Sequence, residues 1–457
     1  MSGSGSILSH VLWKVPMKKM SRFHSDTLTP GERKRPRPNW IALAAVVCLV
    51  AMGTPASPAP PLRVGTSGDY APFSLLGGKP EGPVLYQGLA PTLARAFARD
   101  RGLDIEFVLF RWPDLLEDLD AGRFDVAMSG VTVRPERSLR GRFSLPITTS
   151  GALVLVPDAS PFVTIEELDE KQFQIAVNGG GHLERVSQKH FKKARILPMS
   201  ENQEVIQALA QGRVDAAITD TREAPVWQSQ FPGLRSIGPF TRDRKAFLVR
   251  ADNPELARDL DAWLLEAEQS GQLETLRIQE IGKSTHPTLT TRPLRALLAA
   301  VDERLSLMPM VAEAKRGAGG PIEVPEVETR VLADAIARYQ IEMAQDPEAF
   351  KSKEEAVLDF YRAQIEAAKS IQRQTLAHPA AHARVAPDLN TELRPALVRI
   401  NDRIATLLVA LPEDIDPNEV RQASREELVS TDLTPAMQSA ITEALIALTS
   451  SRPPPNR

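Results

Sequence analysis

One stretch of the sequence decides the fold: Gly212-Arg213-Val214-Asp215-Ala216-Ala217-Ile218-Thr219-Asp220-Thr221-Arg222-Glu223. It contains the signals of a helix end at glycine, a short apolar strand, and two acids just past that strand. An upstream copy, Gly122-Arg123-Phe124-Asp125-Val126-Ala127-Met128-Ser129-Gly130, repeats the order Gly-Arg-apolar-Asp, strand residues and polar groups. Open α/β sheets bind ligands beyond the carboxyl ends of their strands. The repeat therefore predicts two similar lobes facing one cleft, with Asp220 and Glu223 beside the ligand.

The length and the charge of the chain limit its class. A chain of 457 residues is too long for one hydrophobic core, so two or three domains are expected. Its 42% hydrophobic and 25% charged residues are typical of globular proteins. Residues 1–55 hold eight Lys or Arg and two acids, and the rest of the chain holds 47 basic and 56 acidic residues. A net charge of −9 over that remainder indicates no affinity for nucleic acid.

The first 59 residues have the order of a secretory signal peptide with a long basic leader. The apolar run Ile41–Gly53 follows the basic residues, and the small residues Thr54–Ala59 follow the run. Thirteen residues are fewer than the roughly 20 that span a bilayer, so an uncleaved membrane anchor is the less favoured alternative. The only cysteine, Cys48, lies in the apolar run, so the mature chain would have no thiol. We expect export to the periplasm, cleavage of the signal peptide, and no membrane contact afterwards.

Strands and helices alternate through the first half of the chain, and helical patterns fill the second half. The alternation predicts βαβ units with a mostly parallel sheet in each lobe. The chain would cross between the two lobes twice before it enters a separate all-α domain. The expected boundaries are lobe 1 at 60–152 and 245–283, lobe 2 at 153–244, a linker at 284–292, the all-α domain at 293–450, and a tail at 451–457.

A glycine-rich turn, Asn178-Gly179-Gly180-Gly181, joins a strand to a helix that starts near His182. Such a turn directs backbone N–H groups toward a ligand at the positive end of a helix, where an anion binds favourably. The motif alone has low specificity. A histidine at a helix start such as His182 is more often a capping or solvated residue than one that takes part in catalysis.

Two further motifs of the first half are Gly65-Thr66-Ser67-Gly68-Asp69-Tyr70-Ala71-Pro72-Phe73 and Ser129-Gly130-Val131-Thr132-Val133-Arg134-Pro135-Glu136-Arg137. Together with the two lobes, they resemble the periplasmic polar amino-acid-binding proteins, over residues 62–282. The resemblance implies that Arg137 holds a ligand carboxylate, that the Thr132 hydroxyl assists, and that Asp220 binds an ammonium. A guanidinium suits this task because it donates two parallel hydrogen bonds to a carboxylate. A surface salt bridge is the alternative role for Arg137.

Glu223 is a residue that a simple binding protein does not need. A carboxyl in a dry cleft, close to another acid, is expected to have a raised pKa and to serve as a general acid. In this feature the chain resembles the cyclohexadienyl dehydratase family, in which Thr-Asp-x-x-Glu supplies the acid. The matching residues are Gly68, Asp69, Tyr70, Trp112, Pro113, Ser129, Gly130, Arg137, Asn178, Gly180, Gly181, Thr219, Asp220 and Glu223. If Glu223 pointed to solvent instead, this half would be only a solute receptor.

The resemblance implies a reaction in which prephenate or arogenate loses its ring hydroxyl as water and its ring carboxylate as CO2. Glu223 would protonate the leaving hydroxyl. Arg137 and the Asn178–Gly181 turn would hold carboxylates, and Trp112 and Tyr70 would flank the ring. Aromatisation of the ring would drive the reaction.

Two positions depart from the dehydratase pattern. His182 stands where the family has Thr, which affects the predicted anion site. Asp220 is an unfavourable neighbour for prephenate, which has no ammonium, so arogenate stays open as the substrate.

The second half resembles the all-helical secreted class of chorismate mutase. The likeness lies in Arg304, Lys315, Gly320–Pro325 and Phe360–Gln372, and it covers about residues 293–410. The apolar spacing predicts one continuous helix from Leu294 to Arg316. Arg304 and Lys315, eleven residues apart, would then share one face of that helix.

The rearrangement of chorismate is pericyclic, so the protein needs cations and hydrogen-bond donors but no acid, base or nucleophile. The resemblance implies carboxylate contacts from Arg304 and Arg403, ether-oxygen contacts from Lys315 and Gln372, and a ring-hydroxyl contact from Glu328.

Two positions depart from the mutase pattern. The family's Arg before the Glu is Val327, and the hydroxyl residue one turn before Gln372 is Ala368. Arg330, on the next turn, is a candidate to replace the missing cation.

We therefore predict an α/β two-lobed periplasmic-binding-protein fold with two crossovers, followed by a separate all-α chorismate-mutase-like domain. The function predicted for it is that of a bifunctional exported enzyme of phenylalanine synthesis, acting on chorismate and then on prephenate or arogenate. It would need no metal and no organic cofactor, and an oligomer is possible. One alternative is an amino-acid-binding receptor of a transporter with a non-catalytic helical module. Another is a dehydratase whose helical half is a degenerate mutase serving as a scaffold.

Overall fold

The computed structural model describes residues 60–77, 85–282, 292–378, 386–430 and 432–450. The predicted signal peptide, almost all of the predicted linker, and the predicted tail lie outside the described residues. The chain divides into Met1–Ala59 and Pro60–Arg457, and the second unit holds both the lobes and the helical half. Within the described residues, no helix is both long enough and apolar enough to cross a membrane.

Strands and helices alternate as far as residue 282, and only helices follow in the described residues. The strands are β1 (Leu62–Thr66), β2 (Asp69–Tyr70), β3 (Ser74–Gly77), β4 (Leu85–Gln87), β5 (Ile105–Leu109), β6 (Val126–Thr132), β7 (Gly141–Phe143), β8 (Thr148–Ser150), β9 (Ala152–Pro157), β10 (Gln174–Asn178), β11 (Arg195–Met199), β12 (Ala216–Asp220), β13 (Leu234–Ile237) and β14 (Asp243–Arg250). The helices of the lobes are α1 (Leu89–Arg101), α2 (Leu115–Asp120), α3 (Pro135–Arg140), α4 (His182–His190), α5 (Asn202–Ala210), α6 (Ala224–Gln230), α7 (Pro254–Gln269) and α8 (Gln272–Ile281). The helical half contains α9 (Arg292–Ser306), α10 (Met308–Ala318), α11 (Pro325–Glu342), α12 (Pro347–Ala377), α13 (Arg394–Val409), α14 (Pro417–Glu427) and α15 (Pro435–Thr449).

Each lobe is built on one sheet, and the two sheets have matching centres. The strand order is β5-β1-β6-β14-β7 in lobe 1, where β8 also pairs with β14, and β11-β10-β12-β9-β13 in lobe 2. The repeated strands β6 and β12 hold the same place. Each has a parallel neighbour on one side, β1 or β10, and an antiparallel neighbour on the other, β14 or β9. The chain enters lobe 2 at β9 and returns at β14, which confirms the predicted two-lobed fold with two crossovers.

The repeated aspartate has the same role in both lobes. Asp125 Oδ2 accepts the backbone N–H of Arg63 at 3.0 Å, and Asp215 Oδ2 accepts the backbone N–H of Gln174 at 2.8 Å. Each carboxylate thereby fixes the start of the neighbouring parallel strand, β1 or β10. The turn before the second copy needs glycine, because Gly212 has φ of 66° in the left-handed region.

The helical half differs from the prediction in two elements. The predicted continuous helix Leu294–Arg316 is wrong, because α9 and α10 are separate helices that meet at Leu307. Pro309 causes the break, since it has no N–H for the helical ladder and its ring clashes with the preceding turn. Arg304 and Lys315 therefore do not share the face of one helix. Helix α14 was not predicted, because its sequence is mostly polar and its buried face holds only Val420, Ala423, Ser424 and Glu427, of which two are apolar.

Lobe 1 and the helical half share one hydrophobic core. Phe97 and Trp263 of lobe 1 belong to the same buried cluster as Leu297 and Phe360 of the helical half. The sheet of lobe 2 packs in two further clusters that contain no residue of the helical half. The all-α domain is present as predicted, but it is attached to lobe 1 by a common core that the sequence did not indicate.

Buried polar contacts strengthen the same attachment. Arg244 of β14 pairs with Asp302 at 2.8 Å and with Glu427 at 3.1 Å. Ser138 of α3 donates its hydroxyl to Glu303 Oε1 at 2.8 Å. Buried ion pairs of this kind specify one geometry, because removing one partner would leave a charge without compensation.

Candidate active sites

The cleft between the lobes encloses a cavity of about 40 Å³ lined by residues from both lobes. Most of the predicted site residues line it, together with three that were not predicted. The predicted ones are Tyr70, Trp112, Gly130, Thr132, Arg137, Asn178, Gly181, His182 and Glu223, and the others are Leu183, Asn202 and Lys245. Ligand pockets usually measure about 300–1,000 Å³, so the lobes must separate before a substrate can enter.

Glu223 lies at the start of α6 and is 1% exposed. Its Oε1 accepts the Asn202 amide at 2.7 Å, and its Oε2 accepts the Thr219 hydroxyl at 2.8 Å. Burial, and then the charge of Asp220, raise the pKa of Glu223 well above its ordinary value, although both hydrogen bonds act in the opposite direction. The protonated carboxyl is therefore the favoured form, as a general acid requires.

Asp220 is fully buried and surrounded by donors. Its Oδ1 accepts the backbone N–H groups of Arg222 at 2.8 Å and of Glu223 at 3.1 Å. Its Oδ2 accepts the Tyr70 hydroxyl and lies 3.4 Å from the Lys245 ammonium. A carboxylate has about four acceptor positions, and these four donors occupy them.

Lys245 is the most informative residue that sequence reasoning missed. Its Nζ donates to Thr132 Oγ1 at 2.9 Å and lies 5.0 Å from the centre of the Tyr70 ring. It is 3% exposed and places a positive charge between lobe 1 and Asp220. The available signal was a lysine directly before the apolar run Ala246–Val249 of a strand, where a buried charge needs a specific partner.

Arg137 is a buried cation that has no acidic partner among the described residues. It is 1% exposed, and its Nη1 donates to the Thr132 carbonyl at 3.0 Å. Its Nε has no hydrogen-bond partner, and the guanidinium lies 5.8 Å from the Trp112 ring. Burial, followed by the charge of Arg134, lowers the pKa of Arg137 well below its ordinary value. An uncompensated guanidinium on the cavity wall is an anion site, because a carboxylate would satisfy both its charge and its free N–H.

The glycine-rich turn is packed more tightly than the prediction assumed. Gly180 has φ of 73°, and a Cβ there would come within 2.6 Å of Pro113 across the cleft. Its N–H already donates to Glu184 Oε2 at 2.7 Å. Asn178 and Gly181 do line the cavity, so only part of the turn faces a ligand.

His182 follows this turn and bonds to a carboxylate. Its Nε2 lies 2.8 Å from Asp243 Oδ1, and its Nδ1 is buried without a hydrogen-bond partner. Burial lowers the pKa of His182 despite the nearby carboxylate, so the ring is neutral at pH 7. If Nε2 carries the proton toward Asp243, Nδ1 is an acceptor available to a ligand.

Other polar residues form hydrogen bonds that fix the wall of the cleft cavity. Asp69 Oδ1 accepts the Trp112 indole N–H at 3.1 Å and so orients the ring. Ser129 bonds to the Ser67 hydroxyl at 2.8 Å, so its hydroxyl is already engaged. Asn202, which no sequence signal marked, bridges the lobes because its amide also donates to the Asp69 carbonyl at 3.1 Å.

In the helical half, several buried polar atoms have no hydrogen-bond partner. Among the described residues they include Arg304 Nη1, Tyr361 Oη, Gln364 Oε1 and Gln372 Oε1, and Arg295 Nε, Arg399 Nε and Ser424 Oγ are further examples. Arg304 is 6% exposed, and its Nε donates to Asn401 Oδ1 at 3.1 Å. Burial lowers the pKa of Arg304, as expected for a cation that lacks an acidic partner. Buried polar atoms without partners are rare in folded proteins, so this group indicates a ligand site.

A second set of charges surrounds Lys315. Its Nζ donates to the Ile322 carbonyl at 2.9 Å, and burial, followed by the charge of Arg394, lowers its pKa. Glu328 also acts on Lys315 and pairs with Lys369 at 3.0 Å. Lys315 and Glu328 therefore interact electrostatically, and the exposed Arg394 is a further cation that acts on Lys315.

Two cations that the sequence predicted for the mutase site, Arg403 and Arg330, belong to neither of these two groups. Arg403 pairs with Glu303 and donates to the Phe143 carbonyl at the junction with lobe 1. Arg330 is exposed on α11. The position of Arg403 follows from the packing of α13 against lobe 1, which the sequence of the helical half alone did not reveal.

Comparison with known proteins supports both halves. Residues 62–282 match the bacterial extracellular solute-binding proteins, family 3, and residues 295–373 match chorismate mutase type II. The cyclohexadienyl dehydratase of Pseudomonas aeruginosa is 36% identical over 217 residues, which cover 46% of this chain and 79% of that protein. The L-cystine-binding protein of Escherichia coli K12 is 26% identical over 217 residues, covering 47% and 80%. A solved ancestral amino acid-binding protein, described as a precursor of cyclohexadienyl dehydratase, is 32% identical, with coverage of 48% and 95% and a TM-score of 0.45.

Proposed function

The chain belongs to the bacterial extracellular solute-binding protein family that includes cyclohexadienyl dehydratase, and we propose that it is a bifunctional enzyme. The helical half converts chorismate to prephenate, and the two-lobed half converts prephenate to phenylpyruvate. The observation that carries the dehydratase activity is Glu223, a buried carboxyl with a raised pKa that faces a cavity also lined by Arg137. A receptor needs the arginine but has no use for the protonated acid.

The dehydratase step needs one proton and no cofactor. Glu223 gives its proton to the ring hydroxyl, which leaves as water when its C–O bond breaks. The bond between the ring and its carboxylate also breaks, CO2 leaves, and the electron pair completes the aromatic ring. Glu223 then regains a proton from solvent. Each turnover thus consumes prephenate and one proton, and releases phenylpyruvate, water and CO2.

Arg137 holds the side-chain carboxylate of the substrate in this mechanism. A cation on the ring carboxylate would stabilise the group that must lose its charge, and so would oppose decarboxylation. A cation on the other carboxylate anchors the substrate without affecting the bonds that break. Trp112 and Tyr70 pack against the ring.

Prephenate fits the site better than arogenate does. An ammonium on the substrate would need a free acceptor on Asp220, but Tyr70, Lys245 and two backbone N–H groups occupy it. Lys245 also compensates the charge of Asp220, which removes the unfavourable contact between two anions that the sequence suggested. Arogenate is the second candidate, and it would have to displace one of these donors.

The mutase site requires cations for two carboxylates and donors for the ether oxygen. Arg304 has a free buried N–H, and Lys315 lies in the electrostatic field of Arg394. Arg394 takes the role of the family's arginine that is missing at Val327. Gln372 supplies the ether contact through one N–H of its Nε2, which donates the other to the Ala368 carbonyl at 3.2 Å, and Glu328 binds the ring hydroxyl. Export through residues 1–59 would place both activities outside the cytoplasm.

The test is product formation from chorismate by the whole chain. The native protein is expected to form phenylpyruvate, whereas Glu223→Gln should accumulate prephenate, and Gln372→Ala should still convert added prephenate. Binding of prephenate without conversion would support a receptor. Conversion of prephenate but not of chorismate would make the helical half a scaffold.

A further inference from the structure

A second, larger cavity lies where lobe 1 meets the helical half, and we call it the junction cavity. Its volume is about 490 Å³, and its wall comes from β7 and α7 of lobe 1 and from α9, α11 and α13 of the helical half. Phe143, Leu145, Leu265 and Ile400 give it an apolar surface. None of its lining residues lines the cleft cavity that contains Glu223. The volume suits a small organic molecule.

Two arginines on the wall, Arg142 and Arg399, have no carboxylate partner among the described residues. Arg142 Nε donates to the Ala251 carbonyl at 3.0 Å. Arg399 Nη2 donates to the carbonyls of Ser138 and Leu139 at 3.0 and 2.9 Å, and its Nε is buried without a partner. Carbonyl groups satisfy N–H donors but leave the positive charges uncompensated.

The other charges of the wall are either exposed, as Arg258 and Glu342 are, or already engaged. Arg403 is paired with Glu303, and Arg338 is paired with Asp402. Asp261 accepts the backbone N–H of Leu145 at 2.7 Å. Burial raises its pKa to about 7, so it carries only part of a charge at neutral pH.

Like charges act on both guanidinium groups. Burial, and then the charge of Arg142, lower the pKa of Arg399 to about 10, although Glu303 acts in the opposite direction. Burial, and then the charge of Arg258, lower the pKa of Arg142. Two partly buried like charges next to apolar surface are unfavourable unless an anion joins them.

We propose that the junction cavity binds a small carboxylate with an apolar body, its carboxylate between Arg142 and Arg399 and its body against Phe143, Leu145 and Ile400. A planar carboxylate can accept two parallel N–H bonds from a guanidinium and also compensate its positive charge. The neutral carbonyls that now accept from the two arginines do not compensate that charge. Binding there depends on neither catalytic activity. Glu303 lines the cavity, bonds to Ser138 beside Arg137, and directly precedes Arg304. A ligand in the cavity would therefore lie next to residues that adjoin both substrate arginines.

The probe for this site is 3-phenylpropionate, titrated by calorimetry into the full chain carrying Arg137→Met and Arg304→Met. That background removes the carboxylate contacts of the cleft and of the mutase site, so the remaining binding reports on the junction cavity. We expect one site per chain, and at least tenfold weaker binding of 3-phenylpropionamide, which has the same shape but no charge. Absence of binding at millimolar probe, or equal binding of acid and amide, would overturn the proposal.

Two variants in the same background locate the site. Arg399→Met should weaken binding at least tenfold, and Ala262→Trp should block it, because Ala262 is an exposed lining residue whose enlargement fills the cavity without removing a charge. Arg99→Met, at an arginine whose side chain is 68% exposed, is the matched control and should bind as before. If Arg399→Met fails to fold, Ala262→Trp decides alone. Unchanged affinity in Ala262→Trp would reject the junction cavity as the site.

Discussion

Replacing Glu223 by Gln removes the acidic proton and keeps the size of the side chain. The native carboxyl accepts from Asn202 at 2.7 Å and from Thr219 at 2.8 Å. An amide can keep its oxygen toward Asn202, and the Thr219 hydroxyl can rotate to accept from the amide nitrogen. The variant should therefore fold, and Arg137 should still hold the substrate.

The expected loss is in the chemical step. A positioned general acid typically accelerates a reaction by about 10²- to 10⁴-fold. At about 1.4 kcal/mol for each factor of ten, that is roughly 3–5 kcal/mol of transition-state stabilisation. We expect kcat for prephenate to fall by this factor while KM changes little. In the native enzyme, the rate should decline as pH rises through the folded pKa of Glu223, because the proton is then lost.

The same group should make stability depend on pH. The folded pKa of Glu223 lies well above 4.5, so the folded state retains a proton that the unfolded state has already released. The contribution of Glu223 to the free energy of unfolding is therefore fully present below the pKa of Glu223 in the unfolded state. It falls as pH rises from that pKa toward the pKa in the folded state, by about 1.4 kcal/mol for each pH unit. The Gln variant lacks this loss, so its thermal midpoint should exceed that of the native protein by an amount that grows with pH.

The loss of kcat is measured from phenylpyruvate formation, followed by its absorbance in alkali. The pH dependence of stability is measured by thermal unfolding from pH 5 to 8. Glu201→Gln, at an exposed acid before α5, is the matched control and should behave like the native protein in both. If Glu223→Gln keeps more than one third of native kcat, Glu223 is not the acid. If its midpoint shows the native pH dependence, the carboxyl is not held protonated.

Three further predictions test the remaining roles. Arg137→Met should raise KM for prephenate by about 30-fold or more, since losing a buried partner of an anion costs about 2–5 kcal/mol. The thermal midpoint of this variant should rise, because an unpaired buried cation has been removed. A lowered midpoint would contradict the view that Arg137 is a buried cation without a partner. Gln372→Ala should slow chorismate loss about tenfold to a hundredfold and leave prephenate dehydration unchanged, and equal loss of both activities would point to misfolding. Val327→Arg restores the family's cation at a site where Arg394 already supplies one, so KM for chorismate should change little in a direct assay. A clearly lowered KM would show that Arg394 does not fill that role.

The sequence predicted the lobes because the repeat marks equivalent strands, with Asp125 and Asp215 bonding to neighbouring strands in the same way. It predicted the cleft residues through the family motifs. It did not predict Lys245 or Asn202, because each acts across the cleft, where spacing along one element carries no information. The place of Arg403 depended on how the helical half packs on lobe 1, which neither half encodes by itself.

The helical half shares its hydrophobic core with lobe 1 and not with lobe 2, which matters for how the two sites can operate. The cleft cavity of about 40 Å³ must open for a substrate, so one lobe has to move. Lobe 2 packs in its own clusters, whereas lobe 1 shares its core with the helices. Lobe 2 can therefore move without disturbing Arg304. Arg137 and Arg304 adjoin Ser138 and Glu303, which form the buried bond between the halves, so both substrate arginines are positioned by the part of the molecule that stays rigid.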